Sequence, residues 1–248
     1  MTGATQGVGK AISRACAANG AAGILVTGRD AARGKSTVEE LEEFGVPAAF
    51  IAAELGHEDA PDRIAAACIA RFGRIDMLVN AAGITDRASM MSATPDIWDR
   101  IFAVDAKAPF FLMQRAIADM QMRGAPGSIV NILSVNIHLG IKDLTVYAAA
   151  KAALALITKN AAHYHRFDRI RINGINMGWA DTPAERIMQA ETLGNGPDWL
   201  DQMAAKQPQG RLISSEDVAR LALFLLTDAS MPMTGALIDQ EQSVVGGP

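Results

Sequence analysis

Three side chains with complementary proton chemistry occur close together near the middle of the chain. Tyr147 and Lys151 are four residues apart, so on a helix they share one face. Residues 148–158 are rich in alanine and leucine and contain no glycine or proline, which favours that helix. Ser134 follows a short apolar run at 127–133 that is typical of a buried strand. The spacing therefore predicts a hydroxyl, a phenol and an ammonium at one cleft.

A phenol beside an ammonium is a candidate acid/base pair. A free tyrosine has a pKa of about 10, too high for proton exchange at neutral pH. A cation about 5 Å away, at an effective dielectric of about 20, contributes on the order of 3 kcal/mol, or about two pKa units. We therefore expect Lys151 to lower the pKa of Tyr147, and Ser134 to align a carbonyl or alcohol oxygen with the phenol. Because this pair also occurs by chance, the interpretation depends on the other motifs.

The elements that must position these residues alternate along the chain. Short apolar runs alternate with amphipathic helical patterns, which predicts an α/β fold with a doubly wound parallel sheet covered by helices on both faces. The predicted strands are 23–27, 46–51, 75–80, 127–133, 169–175 and 235–239. The predicted helices are 8–19, 31–44, 58–72, 95–122, 146–165 and 214–227. We find no linker and no repeat, and predict one domain over residues 1–248.

Composition excludes several classes of protein. The chain has 248 residues, half of them hydrophobic, enough for a full core. A net charge of −4 argues against nucleic acid or an anionic membrane as partner. We expect a cytoplasmic protein, since the sequence has neither an 18-residue apolar run nor a secretory signal pattern. Cys16 and Cys68 are isolated, so we expect free thiols and no metal site.

The chain opens with a glycine-rich loop that runs into a predicted helix. Gly3, Gly7 and Gly9 form the pattern T-G-x-x-x-G-x-G, which lets the backbone turn tightly and approach a pyrophosphate at a helix N-terminus. Such a loop should follow a strand, yet only Met1 precedes it. We expect that the first strand is missing, at a cost in stability, or that another segment takes its place.

Residues at the ends of the next three predicted strands bear on a dinucleotide. An acidic residue after the first would favour a free ribose 2′-hydroxyl, whereas Gly28 and Arg29 favour the 2′-phosphate of NADP. Alternatively, Arg29 pairs with Asp30 on the surface. Glu54 either contacts the adenine edge or caps the following helix. The small residues of Asn80-Ala81-Ala82-Gly83 suit a cofactor lying against the backbone, or an ordinary turn.

Taken together, these motifs resemble the short-chain dehydrogenase/reductase family. The matching pieces are TGATQGVG at 2–9, NAAG at 80–83, the Ser134/Tyr147/Lys151 set with its thirteen-residue gap, MGWADT at 177–182, Gly210-Arg211, FLLTDAS at 224–230 and Thr234-Gly235. The resemblance covers essentially the whole chain except the first strand. Four ordered motifs at these separations are far more specific than any one of them.

The resemblance implies a Rossmann-like sheet with a nicotinamide cofactor over the strand ends. Tyr147 would be the acid/base, Ser134 would position the substrate oxygen, and Lys151 would hold the nicotinamide ribose. Thr182 would contact the carboxamide or the phosphates. The implied cofactor-binding residues are Gly3, Thr5, Gly7, Val8, Gly9, Arg29, Glu54, Asn80, Ala81, Gly83, Tyr147, Lys151, Gly178, Ala180 and Thr182.

Three positions depart from the family pattern. Asp105 stands where the family usually has an asparagine that helps to hold a proton-relay water, so its catalytic role is open. It could pair with Lys151, or stay protonated and donate as an amide would. Met177 replaces the usual proline before Gly178, and residues 239–241 replace the usual acidic-Gly-Gly ending of the last strand, which could alter a subunit contact or the substrate rim.

The long connection at about 183–209 is predicted to be a substrate lid made of helical pieces. Trp179, just before it, and Asn136 and His138, just after Ser134, are candidate substrate contacts. His138 could equally be a surface loop residue. These polar candidates favour a hydroxylated small molecule such as a sugar or polyol.

The leading hypothesis is an NADP(H)-dependent oxidoreductase that interconverts a secondary alcohol and a ketone by hydride transfer. An NAD(H)-dependent dehydrogenase of the same type is the first alternative. A cofactor-binding sensor or scaffold without turnover is the second. The resemblance also implies a homo-oligomer, a tetramer or dimer, built from the helices at 95–122 and 146–165.

Overall fold

The structure, a computed structural model, describes residues 1–138 and 141–245; the other five residues of the predicted 1–248 domain lie outside the described part. Its strands are β1 Ile24–Gly28, β2 Ala48–Ala52, β3 Met77–Asn80, β4 Gly127–Ser134, β5 Ile170–Met177, β6 Ala180–Asp181, β7 Ile213–Ser214 and β8 Leu237–Gln240. Strands β3, β4, β5 and β8 pair in parallel in the order β3-β4-β5-β8, and β1 pairs in parallel with β2. The predicted parallel sheet is confirmed.

Helices cover both faces of this sheet. They are α1 Gly7–Ala18, α2 Ala31–Glu42, α3 Ala60–Phe72, α4 Pro95–Phe102, α5 Ala108–Met122, α6 Thr145–Tyr164, α7 Pro183–Ile187, α8 Trp199–Ala204 and α9 Ser215–Leu226. Alternate strand residues face opposite sides. Leu78 and Ile129 belong to the core under α3, α5 and α6, whereas Val79 and Val130 belong to the core under α1 and α9. The alternating apolar runs thus build two cores, one on each face.

The first residues of the chain stand between β1 and β3, where the missing strand was expected. The Met1 ammonium donates to Leu25 O (2.7 Å), and Thr27 N donates to Met1 O (3.0 Å). On the other side, Thr2 N donates to Val79 O (3.0 Å). Burial lowers the pKa of the Met1 ammonium. Met1 and Thr2 therefore connect the β1-β2 pair to the β3-β4-β5-β8 sheet through backbone hydrogen bonds, and the glycine loop follows them.

The predicted helix at 95–122 is wrong in one respect, because it is interrupted by a π-helical turn at Ala103–Lys107. A π-turn inserts one residue into the helical repeat, and such turns often mark functional sites. The turn lies just before Pro109, which has no backbone N–H and is tolerated at the start of α5. Its central residue, Asp105, is fully buried. The other predicted elements end within two residues of the observed ones.

No helix among residues 1–138 and 141–245 is long and apolar enough to cross a membrane. Cys16 is buried and Cys68 is half-buried, and both are free thiols, as expected from their isolation in the sequence.

Candidate active site

A cavity of about 720 Å³ opens at the carboxyl ends of the parallel strands. This is the usual place for a ligand in an open α/β sheet. Most of the residues predicted for the site line it. They are Gly3, Thr5, Gly7, Val8, Gly9, Arg29, Glu54, Ala81, Gly83, Ser134, Asn136, Tyr147, Lys151, Gly178, Trp179, Ala180 and Thr182. The fold therefore gathers residues from both ends of the chain around one space.

The glycine loop forms a close backbone cradle at the floor of this cavity. A Cβ on Gly9 would overlap the carbonyl oxygen of Gly3, and a Cβ on Gly3 would lie 2.7 Å from Ala82 Cα. Gly3 also has φ +62°, which favours glycine. Helix α1 begins after Gln6, and in this part of the described chain the Gln6 side chain does not accept a hydrogen bond from the first backbone N–H groups of the helix. A cradle lined by free backbone donors fits a pyrophosphate.

The end of β1 has no room for an acidic side chain. A Cβ on Gly28 would lie 2.7 Å from Thr5 Oγ1 and from Thr5 Cγ2. The carboxylate that would accept hydrogen bonds from a ribose 2′-hydroxyl therefore cannot come from this position.

Arg29 extends over the same end of the cavity. Its Nη1 lies 3.7 Å from Glu54 Oε2, and its side chain is 72% exposed. Asp30 instead caps α2, where its side chain accepts from a backbone N–H, so the alternative Arg29–Asp30 surface pair is not what the structure shows. Glu54 does not cap α3 either, since the N-cap of that helix is Asp59. Both Arg29 and Glu54 remain available to a ligand.

Ser134, Tyr147 and Lys151 meet at the other end of the cavity, as their spacing predicts. Ser134 is the last residue of β4, and its Oγ accepts from Asn136 N (3.2 Å). Tyr147 and Lys151 lie one turn apart near the start of α6. Both side chains are buried, at 8% and 3% exposed. Lys151 Nζ donates to Ile132 O (3.0 Å) and lies 5.8 Å from the centroid of the Tyr147 ring.

The expected effect of Lys151 on the pKa of Tyr147 is wrong for this structure. Burial raises the pKa of the phenol, and the nearby Asp105 carboxylate raises it further, while a hydrogen bond with Ser134 partly opposes them. The Lys151 ammonium lies beside the ring and donates to a β4 carbonyl, and burial has the largest effect on the pKa of the phenol. Tyr147 is therefore held as a neutral phenol, the form that donates a proton.

Asp105 lies behind Gly83 rather than in the cavity wall. Its Oδ1 accepts from Ile84 N (3.0 Å), and among the described residues its buried Oδ2 has no hydrogen-bond partner. A Cβ on Gly83 would lie 3.3 Å from both Asp105 Oδ1 and Lys151 Nζ. Burial raises the pKa of Asp105 to about 6, and attraction to Lys151 opposes that rise. Near neutral pH the Asp105 carboxyl group can therefore be either ionised or protonated.

The chain is similar to known proteins over nearly its whole length. A family model described as enoyl-(acyl carrier protein) reductase matches residues 3–240. The short-chain dehydrogenase/reductase FrzI of Cladobotryum sp is 30% identical over 99% of this chain and 94% of its own length. The chain belongs to the short-chain dehydrogenase/reductase family. Members of this family are NAD(P)-dependent oxidoreductases that act on alcohol and keto groups of small molecules.

Two further relatives have named substrates. The cis-4-hydroxycyclohexanecarboxylate dehydrogenase of Sinomonas cyclohexanicum is 32% identical over 96% of this chain and 92% of its own. The solved structure of L-sorbose reductase from Gluconobacter frateurii, complexed with NADPH and L-sorbose, is 28% identical. It superposes with a TM-score of 0.93 and covers 100% of this chain and 96% of that one. The Rossmann-like fold expected from the family is confirmed.

Two residues predicted for the site of this dehydrogenase/reductase point elsewhere. Asn80 is 1% exposed, and its Nδ2 donates to Asn131 Oδ1 (2.8 Å), while Asn131 Nδ2 donates to Thr158 Oγ1 (2.8 Å). This chain of amides ties β3 and β4 to α6. His138 Nε2 lies 2.9 Å from Asp239 Oδ1 at the end of β8. Neither residue is among those that line the cavity, and direct contact of either with a ligand stays a prediction.

The segment after β5 contributes the indole of Trp179 to the cavity wall, and the buried Trp199 packs against that indole. Trp179 stacks on Trp199, with ring centroids 6.0 Å apart. Trp179 Nε1 donates to Glu185 Oε1 (2.9 Å), and its backbone N donates to Glu241 Oε2 (3.2 Å). Thr182 lines the cavity and also caps α7. The segment at 183–209 contains α7 and α8, as the prediction of helical pieces requires.

Sequence reasoning missed other charged and polar residues of the wall. Arg87, Glu185 and Gln189 line the cavity, and Glu241, anticipated only as a departure at the rim, does too. For Arg87 the available signal was a lone cation in the loop after NAAG, a loop that follows a strand end and therefore faces the site. For Glu185 and Gln189, position within the predicted lid was the only signal.

Proposed function

We propose that this protein is an NADP(H)-dependent oxidoreductase that interconverts a secondary alcohol and a ketone on a hydroxylated small molecule. The observation that carries the proposal is that Ser134, Tyr147 and Lys151 line the same cavity as the glycine cradle. When bound, the nicotinamide supplies or accepts the hydride.

The chain's own residues would handle the proton. Ser134 holds the substrate oxygen, and Tyr147 gives a proton to that oxygen during ketone reduction or takes it during alcohol oxidation. Burial and Asp105 raise the pKa of Tyr147, so the phenol is protonated at neutral pH, the form that can donate to the oxygen of a ketone. Lys151 binds the ribose hydroxyls, and Asp105 sets the charge behind Lys151. These roles remain proposals for the residues named.

The cofactor would lie along the cavity from Arg29 to Tyr147. The backbone of the glycine loop binds the pyrophosphate, and Ala81 and Gly83 contact the adjacent ribose. Gly178, Ala180 and Thr182 contact the carboxamide end. We assign the Asn80 side chain no contact with the cofactor, because its amide donates a hydrogen bond to Asn131 of β4.

The choice of NADP rests on the adenosine end. Gly28 leaves no room for an acid, while Arg29 offers a cation for a 2′-phosphate. Glu54 lies 3.7 Å from Arg29 and reduces that positive charge, which is the observation that favours NAD as the alternative. L-sorbose reductase, solved with NADPH, supports the first reading.

The substrate end is polar, with Asn136 and Trp179 in the wall beside Ser134. A sugar ketone is the substrate of the sorbose reductase relative, and a ring alcohol that of the Sinomonas relative. We propose that residues 183–209 act as a lid over this end and that the whole chain forms one domain.

Replacing Tyr147 by phenylalanine tests the enzyme assignment. Oxidation of NADPH would be followed by nicotinamide absorbance with a panel of ketones, sugars and keto acids. We expect Tyr147→Phe to lower turnover by on the order of 10²–10⁴-fold, the usual contribution of a general acid. The matched control is Tyr164→Phe on the same helix, where the side chain is 78% exposed. Equal turnover by both variants would refute the role of Tyr147.

The same panel separates the non-catalytic alternative. A sensor or scaffold would bind NADPH tightly in a calorimeter and turn over no substrate in the panel. Cofactor choice is tested by Arg29→Ala, which should reduce the preference for NADPH over NADH by about tenfold or more, the loss of a charge-assisted hydrogen bond. Arg14→Ala, on the exposed side of α1, is the control. An unchanged preference in Arg29→Ala would overturn the NADP assignment.

We further propose a homotetramer or dimer built from α4, α5 and α6. Large apolar side chains on these helices face outward, with Trp98 at 47%, Phe110 at 42% and Leu156 at 61% exposed. Light scattering should give a multiple of the 26.2 kDa chain mass, and Leu156→Glu should reduce it.

A further inference from the structure

Arg87 is held in a fixed position in the loop after β3. The next residue, Ala88, is buried and forms a bridge to Leu144, and Ala88 N donates to Asp143 O (2.8 Å). On the other side, Asp86 pairs with Arg100 on α4 (2.9 Å). The backbone of Arg87 is therefore tied on both sides, to the chain that leads into α6 and to α4.

The side chain of Arg87 lines the cavity without a partner of its own. Its Nε is shielded from solvent and has no hydrogen-bond partner, and within residues 1–138 and 141–245 the guanidinium makes no ion pair or hydrogen bond. Arg87 is half-buried, and leaving its Nε donor shielded from water without an acceptor costs free energy. An anion entering the cavity is the partner that would satisfy it.

Arg87 also lies beside the reacting end of the cavity. Its positive charge acts on the Tyr147 phenol and opposes the rise in that pKa. Lys151, the other cation at this end, already donates to Ile132 O. Arg87 is thus placed to bind a group on the same molecule whose oxygen meets Tyr147.

The carboxylates of the cavity wall are already supplied with donors. Glu185 Oε1 accepts from Trp179 Nε1 (2.9 Å) and Gln189 Nε2 (2.6 Å). Glu241 accepts from the backbone N of Trp179 and of Gln242. Glu185 belongs to α7 and Glu241 follows β8, and the negative charge of both carboxylates disfavours an anion beside them. Arg87 is a cation of the wall that would attract an anionic substrate group.

We propose that Arg87 binds a carboxylate carried by the substrate, so that this enzyme acts on keto acids or hydroxy acids in preference to neutral ketones and sugars. This inference rests on the proposed oxidoreductase function and narrows its substrate class. The planar guanidinium suits a carboxylate, which it can bind through two parallel hydrogen bonds.

Matched pairs of keto carboxylates and their neutral primary amides test the inference by turnover. We expect kcat/KM of the wild-type enzyme to favour the carboxylates by about 10- to 100-fold, the contribution of a hydrogen-bonded charge pair. In Arg87→Gln this ratio should fall to about one, and Arg87→Lys should restore part of it. Arg63→Gln, which removes an exposed cation on α3 outside the cavity wall, should leave the ratio unchanged. Equal rates for acids and amides in the wild type, or an unchanged ratio in Arg87→Gln, would overturn the inference and leave the oxidoreductase function standing.

A binding measurement separates this failure from failure of the function itself. Benzoate should raise the melting temperature of the wild-type protein and not that of Arg87→Gln, whereas neutral benzamide should not distinguish the two. If no substrate in the panel is turned over but benzoate still stabilises the protein through Arg87, the anion site stands and the proposed reaction fails. If benzoate and benzamide act alike on both proteins, the anion site is refuted. Stronger selection of a phosphate ester than of the matched carboxylate would also refute the carboxylate assignment.

Discussion

Replacing Asp105 by asparagine tests the balance of burial and charge behind the proposed catalytic residues. Asp105 is 0% exposed, and burial raises its pKa from an ordinary 3.8 to about 6. Because the folded-state pKa is the higher one, the cost of ionising this group is absent well below about pH 4 and complete above about pH 6. A shift of roughly two pKa units corresponds to about 3 kcal/mol of lost stability at neutral pH.

Asparagine keeps an acceptor for Ile84 N and carries no charge. We therefore expect Asp105→Asn to be more stable than the wild type at pH 7.5, by up to about 3 kcal/mol, and by roughly half as much at pH 5. Urea denaturation at the two pH values measures both differences. Asp201→Asn, an exposed carboxyl on α8, is the control and should change stability by less than about 0.5 kcal/mol.

Two results would refute this reasoning. A stability difference between wild type and Asp105→Asn that does not change with pH would mean that Asp105 does not titrate in this range. A folded Asp105→Asn enzyme that has lost its turnover at pH 7.5 would mean that the charge is needed for catalysis. We expect turnover to be kept or raised, because an amide can accept from Ile84 N and donate as a protonated acid does.

Three further predictions concern the cradle and the frame of the fold. Gly9→Ala places a methyl group against a carbonyl of the same loop and should weaken NADPH binding more than tenfold in calorimetry; Gly56→Ala, whose nearest neighbour would lie 4.0 Å away, should not. Arg171→Met should cost about 2–4 kcal/mol in urea denaturation, since the guanidinium donates to three carbonyls at the end of α9 and to one hydroxyl. Asp217→Asn should be less stable than the wild type at pH 7, because the Arg211 guanidinium holds the pKa of Asp217 well below its usual range. The difference in urea denaturation should begin to shrink only below about pH 4 and should still be present at about pH 3.

The parts of the site that depend on local spacing could be predicted from the sequence. A run of apolar residues ending at Ser134 gives a strand end, and four-residue spacing puts Tyr147 and Lys151 on one helical face. The carboxyl ends of parallel strands meet at one edge of the sheet, so the glycine loop and Ser134 had to share a cavity. Neither inference needs knowledge of distant contacts.

The parts that depend on distant contacts could not be predicted. The pKa of Tyr147 is set by burial beneath segments far away in the chain, which outweighs the neighbouring ammonium. The Asn80 side chain donates a hydrogen bond to Asn131, 51 residues later in the chain, and does not line the cavity. The π-helical turn around Asp105 could not be recognised in the sequence, because the hydrophobic pattern on both sides of it is that of an ordinary α-helix. In each case the deciding partner is set by tertiary packing.

The stacked pair of Trp179 and Trp199 gives this protein a built-in optical reporter. Indoles 6.0 Å apart couple their electronic transitions and produce a circular dichroism band that isolated tryptophans lack. The third tryptophan, Trp98, stacks on Phe102 of α4 and does not belong to this pair. Because one indole precedes the lid segment and the other lies within it, the band should report whether that segment stays docked while ligands are titrated. No chemical label would be required.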